Sequence, residues 1–416
     1  MLQFVTGRLV VVRLLMLFAA AALIGVGIAA IYAVGHPAEA NPASQAGKMD
    51  NLWAKQLFFA ILGVAAFILI NRVDYRRLGE LSYWMYGGVL VLLGLLLVDK
   101  YLINIPDIFI EENRSTYRWI KIPFTGLSFQ PSELCKVVYI LALGWYLRYK
   151  SNYRKFGTLL GPFALTVLPM FLILLEPDLG TVLLMMPILF TMLFVAGAKV
   201  RHLLTIILLA IFVSPLLWVG MQPYQKIRIS CVLLQNEKVR RLTENHPTLG
   251  KILVGKTFSQ RQWENDWGYH FIRSKYAVSA GGPVVYGFRK GPFIKYDFLP
   301  ERHNDFIFAA IAQQWGFWGA AALVAIYIVF FICGLEIAAE HTDPFGRLVA
   351  MGIVSMFFFE VIVNLSMTVG LMPITGLTLP FVSYGGSSLI VSIAAVGLLN
   401  NIGRHRPFSF ATTITR

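Results

Sequence analysis

Long apolar stretches separated by short polar segments dominate the chain. A helix needs roughly 20 apolar residues to cross the hydrocarbon core of a bilayer. Ten stretches approach that length: 14–35, 53–71, 81–98, 132–148, 157–175, 179–198, 203–221, 306–336, 348–372 and 383–403. The pattern predicts an all-α polytopic membrane protein of about ten transmembrane helices, since only helices and closed barrels satisfy every backbone group in lipid. Two stretches are weakened by charge, 53–71 by Lys55 and 132–148 by Glu133 and Lys136. The first stretch follows Arg8 and Arg13 as a signal peptide would. It is too long for one and ends without a small-residue cleavage site, so it reads as a retained span.

The basic residues orient the bundle. With the N-terminus inside, the cytoplasmic segments contain Arg72, Arg76 and Arg77, then Arg148, Lys150, Arg154 and Lys155, then Lys199 and Arg201, then Arg347, and finally Arg404, Arg406 and Arg416. The opposite short loops, 176–178 and 373–382, contain no Lys or Arg. Lysine and arginine concentrate on the cytoplasmic side, so both termini are expected there. Two outer segments are long, 99–131 and 221–304. The second carries 14 Lys+Arg against six Asp+Glu, a balance of +8 within a whole-chain charge of +14. No internal repeat or linker interrupts the chain, so residues 1–416 read as a single membrane domain with an elaborated outer loop.

Composition agrees. The chain is 57% hydrophobic and 14% charged, with a mean hydropathy of +0.66. Soluble domains run at about 45–50% and about 25%, so an ordinary soluble enzyme is excluded. In a membrane chain the basic excess points to membrane lipid headgroups or lipid-linked phosphates, and no nucleic acid partner is expected. Cys135, Cys231 and Cys333 have no paired spacing and suggest neither a disulfide framework nor a metal site.

Ionisable groups inside spans are expensive and mark function by default. Gln130-Pro131-Ser132-Glu133-Leu134-Cys135-Lys136 opens the fourth span, with Glu133 and Lys136 one turn apart on one face. They read either as an ion pair holding helices in register or as a cation facing an anionic ligand with a carboxylate to position it. Asp178, in Glu176-Pro177-Asp178-Leu179-Gly180-Thr181, suits a helix cap. Glu360, Asn364, Gln313 and Gln314 read as interhelical hydrogen-bonding groups. The densest cluster is Pro300-Glu301-Arg302-His303-Asn304-Asp305 at the start of the eighth span. Asp305 is either a helix cap or an interfacial general base shielded by aromatic neighbours. Last, Gly370 to Ser388 breaks the helix with Pro373 and Pro380. Its Ser383-Tyr384-Gly385-Gly386-Ser387-Ser388 leads into a helix start that would bind anions, unless it is only a re-entrant turn.

Together these segments resemble the SEDS family of shape, elongation, division and sporulation proteins. The likeness is carried in order by Arg118-Trp119-Ile120, Phe129 to Leu134 with Lys136, Pro177 to Thr181, Pro223-Tyr224-Gln225, Phe298 to His303 with Asp305 to Ala309, and Gly370 to Ser388. Asn364-Leu365-Ser366-Met367-Thr368-Val369-Gly370 places it nearer the RodA branch than the FtsW branch. The resemblance implies an inner-membrane peptidoglycan glycosyltransferase that polymerises lipid II into β-1,4-linked glycan on the outer face, for elongation and cell shape. It also implies a class B penicillin-binding protein transpeptidase as partner. Asp305 takes the position of the family's catalytic carboxylate, with Glu133, Lys136, Asp178, Ser274, Lys275, Glu301, Arg302, His303 and Ser387 as expected substrate-binding residues.

In this reading Lys136, Arg302 and Lys275 help meet the charge of the leaving pyrophosphate. No cofactor is required, although the arrangement leaves room for a divalent cation. A precursor flippase and an FtsW-like division enzyme are the competing readings. The chain departs from the family at Asn304, usually Thr, at Gln313 and Gln314, usually a Glu pair, and at Arg273, usually Gln. Residues 103–117 look like an insertion, and 236–265 follow no family pattern.

Overall fold

A computed structural model describes residues 7–38, 51–100, 110–113, 116–122, 127–149, 156–283, 286–296, 298–299 and 301–405. The helices that match the ten apolar stretches are α1 (Arg8–Gly35), α2 (Leu52–Arg72), α3 (Tyr75–Val98), α4 (Pro131–Leu147), α5 (Leu160–Leu175), α6 (Leu179–Val195) and α7 (Val200–Gly220), followed after the outer loop by α14 (Ile307–Glu340), α15 (Pro344–Thr368) and α16 (Gly386–Arg404). Among the described residues, eight helices are long and apolar enough to cross a membrane. The shorter α4 and α6 have 17 residues each. The chain is thus a polytopic helical membrane protein.

Segment 99–131, expected as a loop, forms a small antiparallel sheet in the order β1 (Ile110–Asn113), β2 (Thr116–Ile122), β3 (Leu127–Phe129). Ile120 pairs with Phe129 across β2 and β3, which leads the chain directly into α4. Of the suspected insertion 103–117, residues 103–109 and 114–115 lie outside the described residues. The outer loop is helical: α8 (Pro223–Leu233), α9 (Glu237–Asn245), α10 (Pro247–Val254), α11 (Gln260–Gln262), α12 (Tyr269–Gly281) and α13 (Pro292–Lys295). Cys231, Leu234, Val254, Phe258, Trp263 and Phe271 give it a core of its own.

Helices α4, α15 and α16 occupy the middle of the bundle and bury most of their residues. Helix α7 buries only Leu203 and turns Leu208, Phe212, Leu216 and Val219 outward, as suits a lipid-facing helix. The predicted eighth span is not one continuous helix. Gly316 breaks α14 with φ +61° and ψ −159°, a conformation that glycine adopts without penalty. The break arises where the end of α12 presses backbone to backbone. A Cβ on Gly281 would lie 2.0 Å from the Ala312 carbonyl oxygen, and Phe317 N donates to Gly282 O at 3.0 Å.

Candidate active site

A cavity of about 300 Å³ opens where the starts of α4, α6 and α16 meet the turn before α14. Asp305, Glu133 and Asp178 line it together with Arg118, Gln130 and Thr378. The carboxylates, distant in sequence, converge here because Glu133, Asp178 and Asp305 each stand at or just before a helix start.

Asp305 is held through its backbone. The turn begins at Glu301, which adopts a left-handed φ of +48°, and Phe306 N donates back to Glu301 O at 3.3 Å. Asn364 Nδ2 donates to Asp305 O at 3.0 Å and to Leu377 O at 2.7 Å, tying the turn to α15 and to the strand-like segment after it. Ser383 Oγ donates to Asn304 O at 2.8 Å, and Tyr384 N donates to His303 O at 2.8 Å. The N-cap of α14 is Phe306, so Asp305 stands one residue before the helix start. Asn364→Leu removes both carbonyl bonds. It is expected to cost about 1–3 kcal/mol of stability and to lower kcat with KM little changed, as read by thermal unfolding beside steady-state kinetics.

Asp178 is both a cap and a wall. Its carboxylate accepts from Thr181 N at 3.3 Å and Thr181 Oγ1 at 2.9 Å within α6, and from Ser132 Oγ at 3.0 Å and Gln130 Nε2 at 3.3 Å at the start of α4. Lys136 lies behind the cavity wall, clamped between Glu133 at 2.9 Å and Glu360 at 2.6 Å, with its side chain 3% exposed. The structure fits the ion-pair reading: the lysine joins α4 to α15 and does not line the cavity, whereas Glu133 does. Ser387 Oγ accepts from Gln130 N at 3.1 Å and joins α16 to the β3–α4 junction. No side chain caps α16, and Gly385, Gly386 and Ser388 at its start line the cavity, so uncapped N–H groups are available to an anion.

The other sequence-predicted residues lie outside the cavity lining. Arg302 is buried and donates to the Phe293 and Ile294 carbonyls at 3.4 and 3.1 Å, so it braces the loop and does not meet a ligand directly. Glu301 accepts from Asn304 Nδ2 at 3.0 Å. His303 packs its ring on Tyr384, and burial holds its pKa below the usual imidazole value. Ser274 is buried and donates to Thr368 O at 2.7 Å. Lys275 is exposed and donates to Gln235 at 3.1 Å. Gln314 accepts from Arg289 N at 3.0 Å, and neither it nor Gln313 lines the cavity. The exchange of the usual acids for amides therefore leaves the cavity's charge untouched.

Two cations were missed as site residues. Arg118, on β2, lines the cavity and donates Nε to Glu176 O at 2.6 Å and Nη2 to Pro177 O. Arg228, on α8, is half-buried; burial and then Arg118 lower its pKa, while Tyr224, Asp305 and Asp178 raise it. Arg228 is thus within electrostatic reach of Asp305 and Asp178, although it does not line the cavity. Arg118 stood in a family motif, and Arg228 was hidden among 14 loop cations.

Beside them, burial and then Asp178 push the Glu176 carboxyl up to about 8, against the pull of Arg118 and Lys100. Because the folded pKa lies above the ordinary 4.5, this stability contribution is complete below about pH 4.5, declines as pH rises, and is lost above about pH 8. The unfolding temperature in detergent should fall between about pH 6 and about pH 9, and Glu176→Gln should flatten that slope.

The family model described as "Cell cycle protein", covering FtsW, RodA and SpoVE, matches residues 13–407. The chain is 29% identical over 436 residues to the peptidoglycan glycosyltransferase RodA of Treponema pallidum, covering 93% of this chain and 96% of that protein. It is 35% identical over 352 residues to the probable peptidoglycan glycosyltransferase FtsW of Geobacter metallireducens, covering 84% of each. Among solved structures it resembles a chain of a peptidoglycan synthase complex that coordinates polymerization and crosslinking. That match has a TM-score of 0.71 and 29% identity, and covers 94% of this chain and 96% of that one.

Proposed function

We infer the reaction from one premise: the chain belongs to the FtsW, RodA and SpoVE family of cell cycle proteins. It is a multi-pass membrane protein and a peptidoglycan glycosyltransferase of the RodA type. The observation that carries the chemistry is Asp305, which lines a polar cavity together with Arg118 and the uncapped start of α16, with Arg228 within electrostatic reach.

In the proposed mechanism the substrate is lipid II. Asp305 removes the proton from the acceptor sugar's 4-hydroxyl, whose oxygen bonds to the donor's anomeric carbon as the bond to undecaprenyl pyrophosphate breaks. An α-linked donor gives a β-1,4 product by one inversion, so no glycosyl-enzyme intermediate is needed. Arg118, Arg228 and the N–H groups at the start of α16 meet the charge that develops on the leaving pyrophosphate. These groups replace Lys136, Arg302 and Lys275, the cations expected from sequence for that task.

No resident metal is required in this reading. Chelation should leave polymer yield unchanged, whereas a chelation-sensitive yield restored by a divalent ion would assign part of that charge to metal. Among the described residues no group of three or more His, Cys, Asp or Glu side chains is placed to hold one.

The positive-inside pattern supports an inner-membrane protein with both termini cytoplasmic and the cavity on the outer face. The likeness to a synthase-complex chain supports a transpeptidase partner of the class B penicillin-binding type. The test is purified protein with lipid II in detergent, alone and with that partner, with moenomycin present to silence contaminating transferases. Glycan polymer on a gel is expected; its absence in both arms would overturn the reading. Depletion in the source organism should round the cells, and filaments would point instead to division.

A further inference from the structure

The outer loop contains a second pocket, of about 520 Å³, away from the catalytic cavity. Its walls come from α9 and the segment after α11, within the stretch 236–265 that follows no family pattern, and from α12, which contributes the atypical Arg273. Arg240 lies flat on Trp263, with its guanidinium carbon 4.4 Å from the ring centroid. Its buried Nε has no hydrogen-bond partner among the described residues. Arg273 is held between Tyr269 and Phe298, 5.1 Å from each ring. Lys275 adds a third cation, already bonded to Gln235, and the one acid in the lining is Glu264, which accepts from Gln260 at 2.9 Å. Two guanidinium groups fixed on aromatic faces without carboxylate partners are preorganised to receive a planar anion in bidentate fashion.

The rest of the lining narrows the ligand class. Tyr276 stands 59% exposed at the rim, and Gln235 and Asn265 supply amides, a combination suited to sugar rings, hydroxyls and acetamides. The volume is that of a small-molecule site, which favours a saccharide bearing carboxylates over the flat face of an acidic protein. The helix that lines the pocket also packs behind the turn that carries Asp305. His270, between Tyr269 and Phe271, stacks on Phe306, the residue after Asp305, with centroids 6.1 Å apart and planes 4° from parallel.

We propose that this pocket holds the nascent glycan strand, with Arg240 and Arg273 gripping a carboxylate of its stem peptide and Tyr276 stacking on a sugar. The proposal rests on the polymerase reading and extends it to a product subsite that keeps the strand bound between additions.

The test uses the full-length protein in nanodiscs and a tetrasaccharide carrying pentapeptide stems, with the same tetrasaccharide stripped of peptide and phosphatidylglycerol vesicles as comparison probes. The double variant Arg240→Gln/Arg273→Gln should bind the peptide-bearing probe roughly tenfold or more weakly, as expected for lost charge-assisted contacts. It should start strands at the wild-type rate but release them shorter. Tyr276→Ala, an exposed truncation that spares the loop core, should weaken binding in the same direction and guards against misfolding of the double variant. Equal affinity and equal strand length in all variants would overturn the proposal. So would a loss confined to vesicle binding, which would mark a lipid-headgroup site, or a loss confined to co-purification with the transpeptidase, which would mark a protein contact. Binding is read without catalysis, so a wild type that binds but makes no polymer would count against the polymerase reading alone.

Discussion

Asp305→Asn is expected to lower polymer formation from lipid II by about 10²–10⁴-fold, the range a single general base contributes. The substitution keeps the side chain's size and removes its ability to accept a proton. The turn should survive it, since Asn364, Ser383 and Tyr384 all grip backbone oxygens of residues 303–305 and none of these bonds uses the carboxylate. An unchanged unfolding temperature beside lost polymer would separate chemistry from folding. Wild-type polymer from the variant would remove Asp305 as base while leaving the enzyme assignment intact.

Lys136→Met should produce the largest loss of stability. The lysine is the shared partner of two acids, and its side chain is 3% exposed. Deleting one partner of a buried ion pair costs about 3–5 kcal/mol, because the remaining charge stays buried without compensation. The double variant Lys136→Met/Glu360→Gln should recover much of that loss, since it removes the acid bonded to the lysine at 2.6 Å along with the lysine. Thermal unfolding of the two proteins in the same detergent decides the matter. Equal destabilisation would mean that the lysine acts through packing and not through charge.

The fold was largely legible because lipid imposes a simple rule: apolar length finds helices, and loop charge orients them. Asp305, Glu133 and Asp178 were legible too, since each is a carboxylate where a bilayer chain has reason to avoid one. Arg118 and Arg228 were not. An arginine in an outer loop looks the same in sequence whether it meets solvent or a ligand, and only the fold, which brings Arg118 to the cavity wall and Arg228 within electrostatic reach of Asp305, separates the two cases. Arg302 shows the converse. It stands three residues from Asp305 in sequence, yet it turns inward to brace the Phe293 and Ile294 carbonyls. The strands before α4 were missed because a three-stranded sheet with strands of four, seven and three residues leaves too short an alternation to read against long apolar runs.

The break at Gly316 makes α14 two bodies joined by a fulcrum. The short outer arm, beginning just after Asp305, lies backbone to backbone against Gly281 at the end of α12, and the first residue of the long inner arm, Phe317, donates to Gly282 there as well. The end of α12 is therefore a common seat for the turn that carries Asp305 and for the helix that spans the membrane. Any side chain larger than hydrogen at Gly281 should therefore disturb both at once.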